Sequence, residues 1–358
     1  MTRENLGRYS ITAMCLLMVI INYSCQPIRR SWVLLRTVSS PLGWFRISYS
    51  QVDNTLWGVD SLSGLLIRFP ENLNELSLIQ EFDLGPGYRH TICASEKIIL
   101  IGDTIELFDP KTREFEQLPD EFDEIGIARS CLVRQDGSAV ILGQNWMAFY
   151  NNHSWEVQMD IGVSGLSAIS EDMDGNLWLG TNNGDLFIYN SYNSIDYSGN
   201  VGESPITKIR VLKNDNLLVG SLDGSIYELP INNNSEGVKL LIQFIQGSDS
   251  GQLEAASAIS RFFEAAQTGT PGESVISPSI PDTKVTYAVL ELIENSDGTI
   301  WLFGSGANML AYKDGGIEQV PMPFGSSGIL SVAFDIEGGM LFLSTDKGIY
   351  YQFIDATP

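Results

Sequence analysis

Turn signals recur along this chain at a nearly constant interval, and that interval limits the fold more than any other property of the sequence. The clearest unit, Leu166 to Tyr189, holds three short apolar runs: Leu166 to Ile169, Leu177 to Leu179 and Leu186 to Tyr189. Asp174-Gly175 and Asn182-Asn183-Gly184 separate them. Such clusters supply the positive-φ positions of tight hairpins, and β-branched and aromatic runs suit half-buried strands, so the unit reads as a three-stranded meander. Further copies run from Phe45 to Phe69, His90 to Leu118, Ala128 to Met159, Ile206 to Leu229, Val285 to Val320 and Leu330 to Phe353. In the copy that begins at Ala128, Trp155 to Met159 adds a fourth strand.

Marking one large apolar residue in each second strand gives Trp57, Leu100, Ile141, Trp178, Leu218, Trp301 and Phe342, with separations of 43, 41, 37, 40, 83 and 41. A period near 40 with four strands per unit is that of a β-propeller blade, and each marked residue is expected to pack between neighbouring blades. The expected fold is therefore all-β, a seven-bladed β-propeller with four antiparallel strands per blade. Trp32 to Val38 reads as a strand with no hairpin partner, while the last copy ends after its third strand at Phe353. The first is expected to complete the last blade and close the ring, which removes the open edges. The one doubled separation hides either an eighth, degenerate blade or an insertion. Leu253 to Gln267 places Leu253, Ala256, Ile259, Phe262, Phe263 and Ala266 at helical spacing, and Gly269 to Asp282 is rich in Gly, Pro and Ser without an Asp-Gly hairpin. This favours a helical and loop insertion, placed at residues 246–284.

The N-terminus has a secretory layout: Arg3 and Arg8, then an apolar run from Ile11 to Ile21, then Asn22-Tyr23-Ser24 before Cys25. The run is shorter than the roughly 20 residues needed to span a bilayer and fits the h-region of a signal. A small residue directly before a cysteine resembles the lipobox of bacterial lipoproteins, which implies lipidation at Cys25. Asn22 departs from the Leu usual in that family, so ordinary cleavage stays open as an alternative, as does an uncleaved anchor, which Arg29-Arg30 favours. The organisation expected is a signal at 1–24, a tether at 25–31, the propeller at 32–353 and a tail at 354–358. The protein is then exported and held at the cell envelope by its N-terminal lipid alone. Cys93 and Cys131 lie at the start of first strands in consecutive copies. An oxidising compartment permits a disulfide, but sequence does not place their Cα atoms within bridging distance, and two buried thiols are expected.

Function is less legible. A formal charge of −23 repels phosphate backbones and anionic lipid, which argues against nucleic acid. His90 and His153 are the only histidines, so no zinc set, and hence no metal or cofactor, is expected. The Asp-Gly pairs are explained by hairpin geometry without calcium. Nor is there a Ser/His/Asp set or a phosphate loop.

At Ile169 to Thr181 (ISEDMDGNLWLGT), followed by Asn183-Gly184, the chain resembles the two-component regulator propeller repeat, and Glu294 to Trp301 is a second good match. That resemblance implies an extracytoplasmic, sensor-like binding propeller. Its blades in hybrid histidine kinases often respond to carbohydrates, whereas a stand-alone propeller without a following kinase is expected here. Streptogramin lyases are also propellers, so a lyase or hydrolase with His90 as base stays open as an alternative, as does an envelope assembly scaffold. His153 lies between third and fourth strands, on the face opposite the expected site.

In a four-stranded blade the loop between second and third strands and the loop to the next blade emerge on one face. On that face the sequence places Trp44, Tyr88, Arg89, His90, Arg129, Trp146, Asn182, Asn183, Asp223 and Asn308. Aromatics beside amides suit a small-molecule, glycan or peptide ligand, or an envelope protein, taken up by a monomer.

Overall fold

The computed structural model describes residues 32–37, 45–61, 63–151, 153–190, 194–231, 238–243, 288–305, 308–313, 316–323, 328–335 and 339–354. The segments expected to be signal, tether, insertion and tail fall outside these, apart from Ile354. Among the described residues no helix is long and apolar enough to cross a membrane.

Strand β1 (Val33–Thr37) stands apart from the first blade. Blade 1 is β2 (Phe45–Ser50), β3 (Thr55–Asp60), β4 (Leu65–Arg68) and β5 (Gln80–Asp83). Blade 2 is β6 (Arg89–Ala94), β7 (Ile98–Gly102), β8 (Ile105–Asp109) and β9 (Glu114–Glu116). Blade 3 is β10 (Ala128–Val133), β11 (Ala139–Gly143), β12 (Met147–Asn151) and β13 (Ser154–Gln158). Blade 4 is β14 (Leu166–Glu171), β15 (Leu177–Thr181), β16 (Asp185–Tyr189) and β17 (Ile195–Asn200). Blade 5 is β18 (Ile206–Val211), β19 (Asn216–Ser221), β20 (Ser225–Pro230) and β21 (Lys239–Gln243). Blade 6 is β22 (Val289–Glu294), β23 (Ile300–Gly304), β24 (Asn308–Lys313) and β25 (Gly316–Gln319). Blade 7 is β26 (Ile329–Asp335), β27 (Met340–Thr345) and β28 (Gly348–Phe353), completed by β1.

The expected seven-bladed ring is therefore the observed one, seven sheets of four antiparallel strands. The closure is the expected one too: Val33 pairs with Tyr351 and Thr37 with Gly348, so strands from the two ends of the fold complete one sheet. No eighth blade separates blades 5 and 6. Thr207 Oγ1 donates to the Val289 carbonyl at 2.7 Å, and Leu218 and Leu302 share one apolar cluster.

The column of marked residues needs one correction. Trp57, Trp178, Leu218, Trp301 and Phe342 are buried at the same register and fill the gap to the following blade. In blades 2 and 3 that register belongs to Ile99, opposite Cys93, and Val140, opposite Leu132, whereas Leu100 and Ile141 face the preceding blade. Side chains alternate faces along a strand, so a slip of one residue reverses the direction. The slip comes from aligning Gly102 and Gly143 with Gly180, which sits one position further into its strand, opposite Ala168.

The cysteines also differ from expectation. Cys93 and Cys131 form a disulfide, with Cα atoms 6.2 Å apart. Inner strands of successive blades converge on the central axis, so residues 38 apart in sequence on β6 and β10 come within bridging range.

In blade 4 the repeat motif has a visible mechanical role. Asp172 accepts from the backbone N–H groups of Asp174 (3.0 Å) and Asn176 (2.8 Å), from Asn176 Nδ2 (3.0 Å) and from Trp178 Nε1 (3.2 Å). One buried carboxylate thus ties the β14–β15 turn to the indole that wedges blade 4 against blade 5. Gly175, at φ 81°, takes the left-handed position this turn requires.

Candidate functional site

The loops between second and third strands and those between blades share one face, and backbone hydrogen bonds knit them together. Asn182 donates to the Gly165 carbonyl (2.7 Å), Leu222 to Pro205 (2.8 Å), Asp103 to Tyr88 (3.2 Å) and Ser305 to Ala288 (2.8 Å). At Gly184 a Cβ would stand 2.1 Å from the Gly202 carbonyl, so the hairpin tip and the inter-blade loop close on each other only through glycine. The rim is thus a built surface.

Within it the inner strands bring a group of residues together. Six of the seven carry a β-bulge just after the first paired residue, at Arg89/Thr91, Ala128/Ser130, Leu166/Ala168, Ile206/Lys208, Val289/Glu291 and Ile329/Ser331. Bulges re-aim the extra residue, and here they repeat at the mouth of the channel. The residue at this point is His90 in blade 2 and Arg129 in blade 3; blade 1 has no bulge and places Arg46 there. In blades 4 to 7 it is Ser167, Thr207, Leu290 and Leu330.

Arg129 is exposed, and His90 and Arg46 are half-buried. Burial holds the His90 imidazole below its ordinary value of 6.5; the charges of Arg46 and Arg129 push it the same way, and Asp103 opposes them. Burial also lowers the Arg46 guanidinium, which Tyr88 counteracts. An arginine so shifted is still charged at neutral pH. His90 Nδ1 lies 3.0 Å from Thr91 Oγ1, and the Tyr88 ring lies 6.0 Å from the imidazole. Tyr88, His90 and Arg129 were expected on this face from sequence; Arg46 was not, although it follows Phe45 as His90 follows Arg89.

Other expected rim residues have different surroundings. Arg89 is buried, with two hydrogen bonds to Glu106 (2.6 and 2.9 Å) and one to the Gly85 carbonyl, so its charge is already matched. Trp146 is 1% exposed, lies over Gly143 and meets Phe122 edge-on at 6.4 Å. Both are corrections to the rim set, because a ligand at the rim finds neither side chain at the surface. Asn182 and Asn183 are exposed at the blade 4 hairpin, and Asn183 also accepts through its carbonyl from Asn200 Nδ2. Asp223 accepts from Ser221 Oγ (2.5 Å) and from the Ser225 N–H (3.0 Å), which makes it a turn-forming carboxylate. Asn308 opens β24 opposite Gly304. Trp44 and Cys25 lie outside the described residues. His153 sits exposed, at φ 62°, in the β12–β13 turn, on the opposite face. Among the described residues no group of three His, Cys, Asp or Glu side chains is arranged to hold a metal ion.

Comparison with known proteins agrees with the fold. Residues 163–183 match the family described as two component regulator propeller. No curated protein shows significant sequence similarity. Among solved structures, YCF48 bound to D1 peptide is 14% identical, with a TM-score of 0.60 over 93% of this chain and 98% of that one. YCF48 from Cyanidioschyzon merolae is 14% identical, with a TM-score of 0.59 over 92% of this chain and 100% of that one. The extracellular domain of the hybrid two component system BT4673 from B. thetaiotaomicron is 10% identical, with a TM-score of 0.61 over 90% of this chain and 39% of that one. This chain is thus a β-propeller with a two component regulator propeller repeat in blade 4, and its fold is similar to those of peptide-bound YCF48 and of the extracellular domain of BT4673.

Proposed function

We propose that this chain is an exported, non-catalytic binding propeller that takes a peptide segment of a partner protein across its loop-rich face. The observation that carries this reading is the convergence of Tyr88, His90, Arg46 and Arg129 at the channel mouth, inside a rim that exposes the amides of Asn182 and Asn183. An aromatic ring beside hydrogen-bonding and charged groups on a preformed surface suits recognition of a polar backbone. The peptide-bound state of YCF48, a propeller of the same architecture, supports the ligand class. Export is supported by the Cys93–Cys131 disulfide, since such bonds persist in oxidising compartments, and by the signal-like N-terminus. It is supported also by the likeness to an extracellular domain.

Arrays of peptides and glycans probed with the protein test the ligand class. Peptide binding is expected, weakened about tenfold by Tyr88→Ala on the scale of one lost interfacial aromatic anchor. Binding confined to glycans, or peptide binding indifferent to Tyr88, contradicts the reading. Tethering through Cys25 predicts that Cys25→Ser releases the protein from membranes; unchanged detergent partitioning sinks that part.

A further inference from the structure

The ring of equivalent positions at the channel mouth is not uniform. In blades 4 and 5 the hydroxyls of Ser167 and Thr207 donate to the carbonyls of Ile206 and Val289 in the next blade, both at 2.7 Å. In blades 6 and 7 the position is leucine. All the charge on this ring stands in blades 1 to 3, and all of it is basic, in a protein whose net charge is −23.

Two cations elsewhere at this end of the ring are matched. Lys208 pairs with Glu291 at 2.6 Å, and Arg89 is forked onto Glu106. The mouth is different. Arg129 has no ion pair or hydrogen bond among the described residues, and Arg46 gives one N–H to the Leu330 carbonyl while its Nε is buried without a partner. The acid that acts on His90 is exposed Asp103, a single charge against two guanidinium groups. Gathering like charges in a partly desolvated mouth is unfavourable unless an opposite charge joins them, and guanidinium forks match planar oxyanions.

We infer that Arg46, His90 and Arg129 form a subsite for an anionic oxygen group of the ligand, a carboxylate or a phosphate. The inference rests on the rim being the binding face and names the chemistry at its centre. Arg129 supplies an open fork, Arg46 a half-buried one, and the imidazole a third donor on binding. Lys208 and Arg89 already hold carboxylates, which leaves Arg46 and Arg129 as the cations at the mouth open to an incoming anion.

The two histidines make the test direct, because His90 is at the mouth and His153 is on the opposite face. Histidine ring resonances of the protein are followed while succinate or, separately, inorganic phosphate is added. A saturable shift of the His90 signal, with His153 unmoved, is the expected result, and the tighter of the two anions assigns the group as carboxylate or phosphate. Arg129→Ala should weaken that anion about tenfold, the scale of one charge-assisted hydrogen bond, with Arg129→Lys falling between. Arg129 is exposed, so its variants are expected to fold normally. No saturable shift at His90, an equal shift at His153, or unchanged affinity in Arg129→Ala overturns the subsite. Peptide binding that survives Arg129→Ala and excess anion removes the subsite but leaves the rim reading, whereas anion binding at His90 with no peptide on the array does the reverse.

Discussion

The two ends of an inner strand use charge in opposite ways. At one end of β14, Asp172 is buried and its carboxylate accepts from the turn and from the indole of Trp178. At the other end of the equivalent strand β10, Arg129 points to solvent and holds nothing among the described residues. The first belongs to the part of the chain that matches a family; the second lies outside it. In blade 4 the residues that define the repeat hold the turn and the blade interface together, whereas the residues suited to a ligand vary from blade to blade at one fixed position.

The largest effect that would break this contrast is at Trp178. Its indole is fully buried between blades 4 and 5, so Trp178→Ala is expected to cost about 3–5 kcal/mol, read as a fall in the denaturation midpoint. A loss under about 1 kcal/mol would show that the blade interface does not depend on this residue. Next comes the Cys93–Cys131 bond, which joins blades 2 and 3; paired Cys→Ala substitution is expected to cost about 2–4 kcal/mol in unfolding experiments. Equal stability with and without reductant would remove it from the account. Asp172→Ala leaves the Trp178 N–H and the turn amides without their acceptor and is expected to cost about 1–3 kcal/mol. Arg129→Ala, at the other end of the contrast, is expected to change stability by under about 0.5 kcal/mol, as an exposed substitution does.

Acid supplies a further prediction. His90 in the folded protein has a lowered pKa, so the unfolded chain binds its proton more readily. The His90 contribution to stability is therefore fully present above the ordinary histidine value and is lost as pH falls through the lowered one. In His90→Gln, the stability loss between about pH 6.5 and the lower value should be smaller than in the unsubstituted protein, measured by denaturant midpoints across that range. An identical pH profile would show that neither burial nor the neighbouring arginines lower the His90 pKa.

How much of this the sequence shows depends on the kind of signal. Asp174-Gly175 and Asn183-Gly184 are local chemistry, so the blades, their number and the closing strand are legible from turn residues and period alone. The blade-interface column is legible only to within one residue, because the glycines that serve as landmarks do not share one register: Gly180 stands opposite Ala168, one position further into its strand than Gly102 opposite Arg89. The Cys93–Cys131 bond, between residues 38 apart, depends on inner strands converging on an axis that no local pattern reveals. For the rim, topology identifies the face but not burial. Trp146 and Tyr88 are both aromatic loop residues in sequence, yet one is core and the other is 43% exposed. Arg89 and Arg129 look alike until Glu106, on the next-but-one strand, is seen to hold the first. Arg46 carries no motif; aligning strand starts at Phe45, Arg89 and Ala128 is the signal that finds it.

The central claim is that side chains from three blades, far apart in sequence, act at one point. The most direct test is the pKa of His90, read from its ring resonances in the unliganded protein and in Arg129→Ala. The account predicts a midpoint below 6.5 that rises when the Arg129 charge is removed. A midpoint at or above the ordinary value, or one indifferent to Arg129, would contradict it.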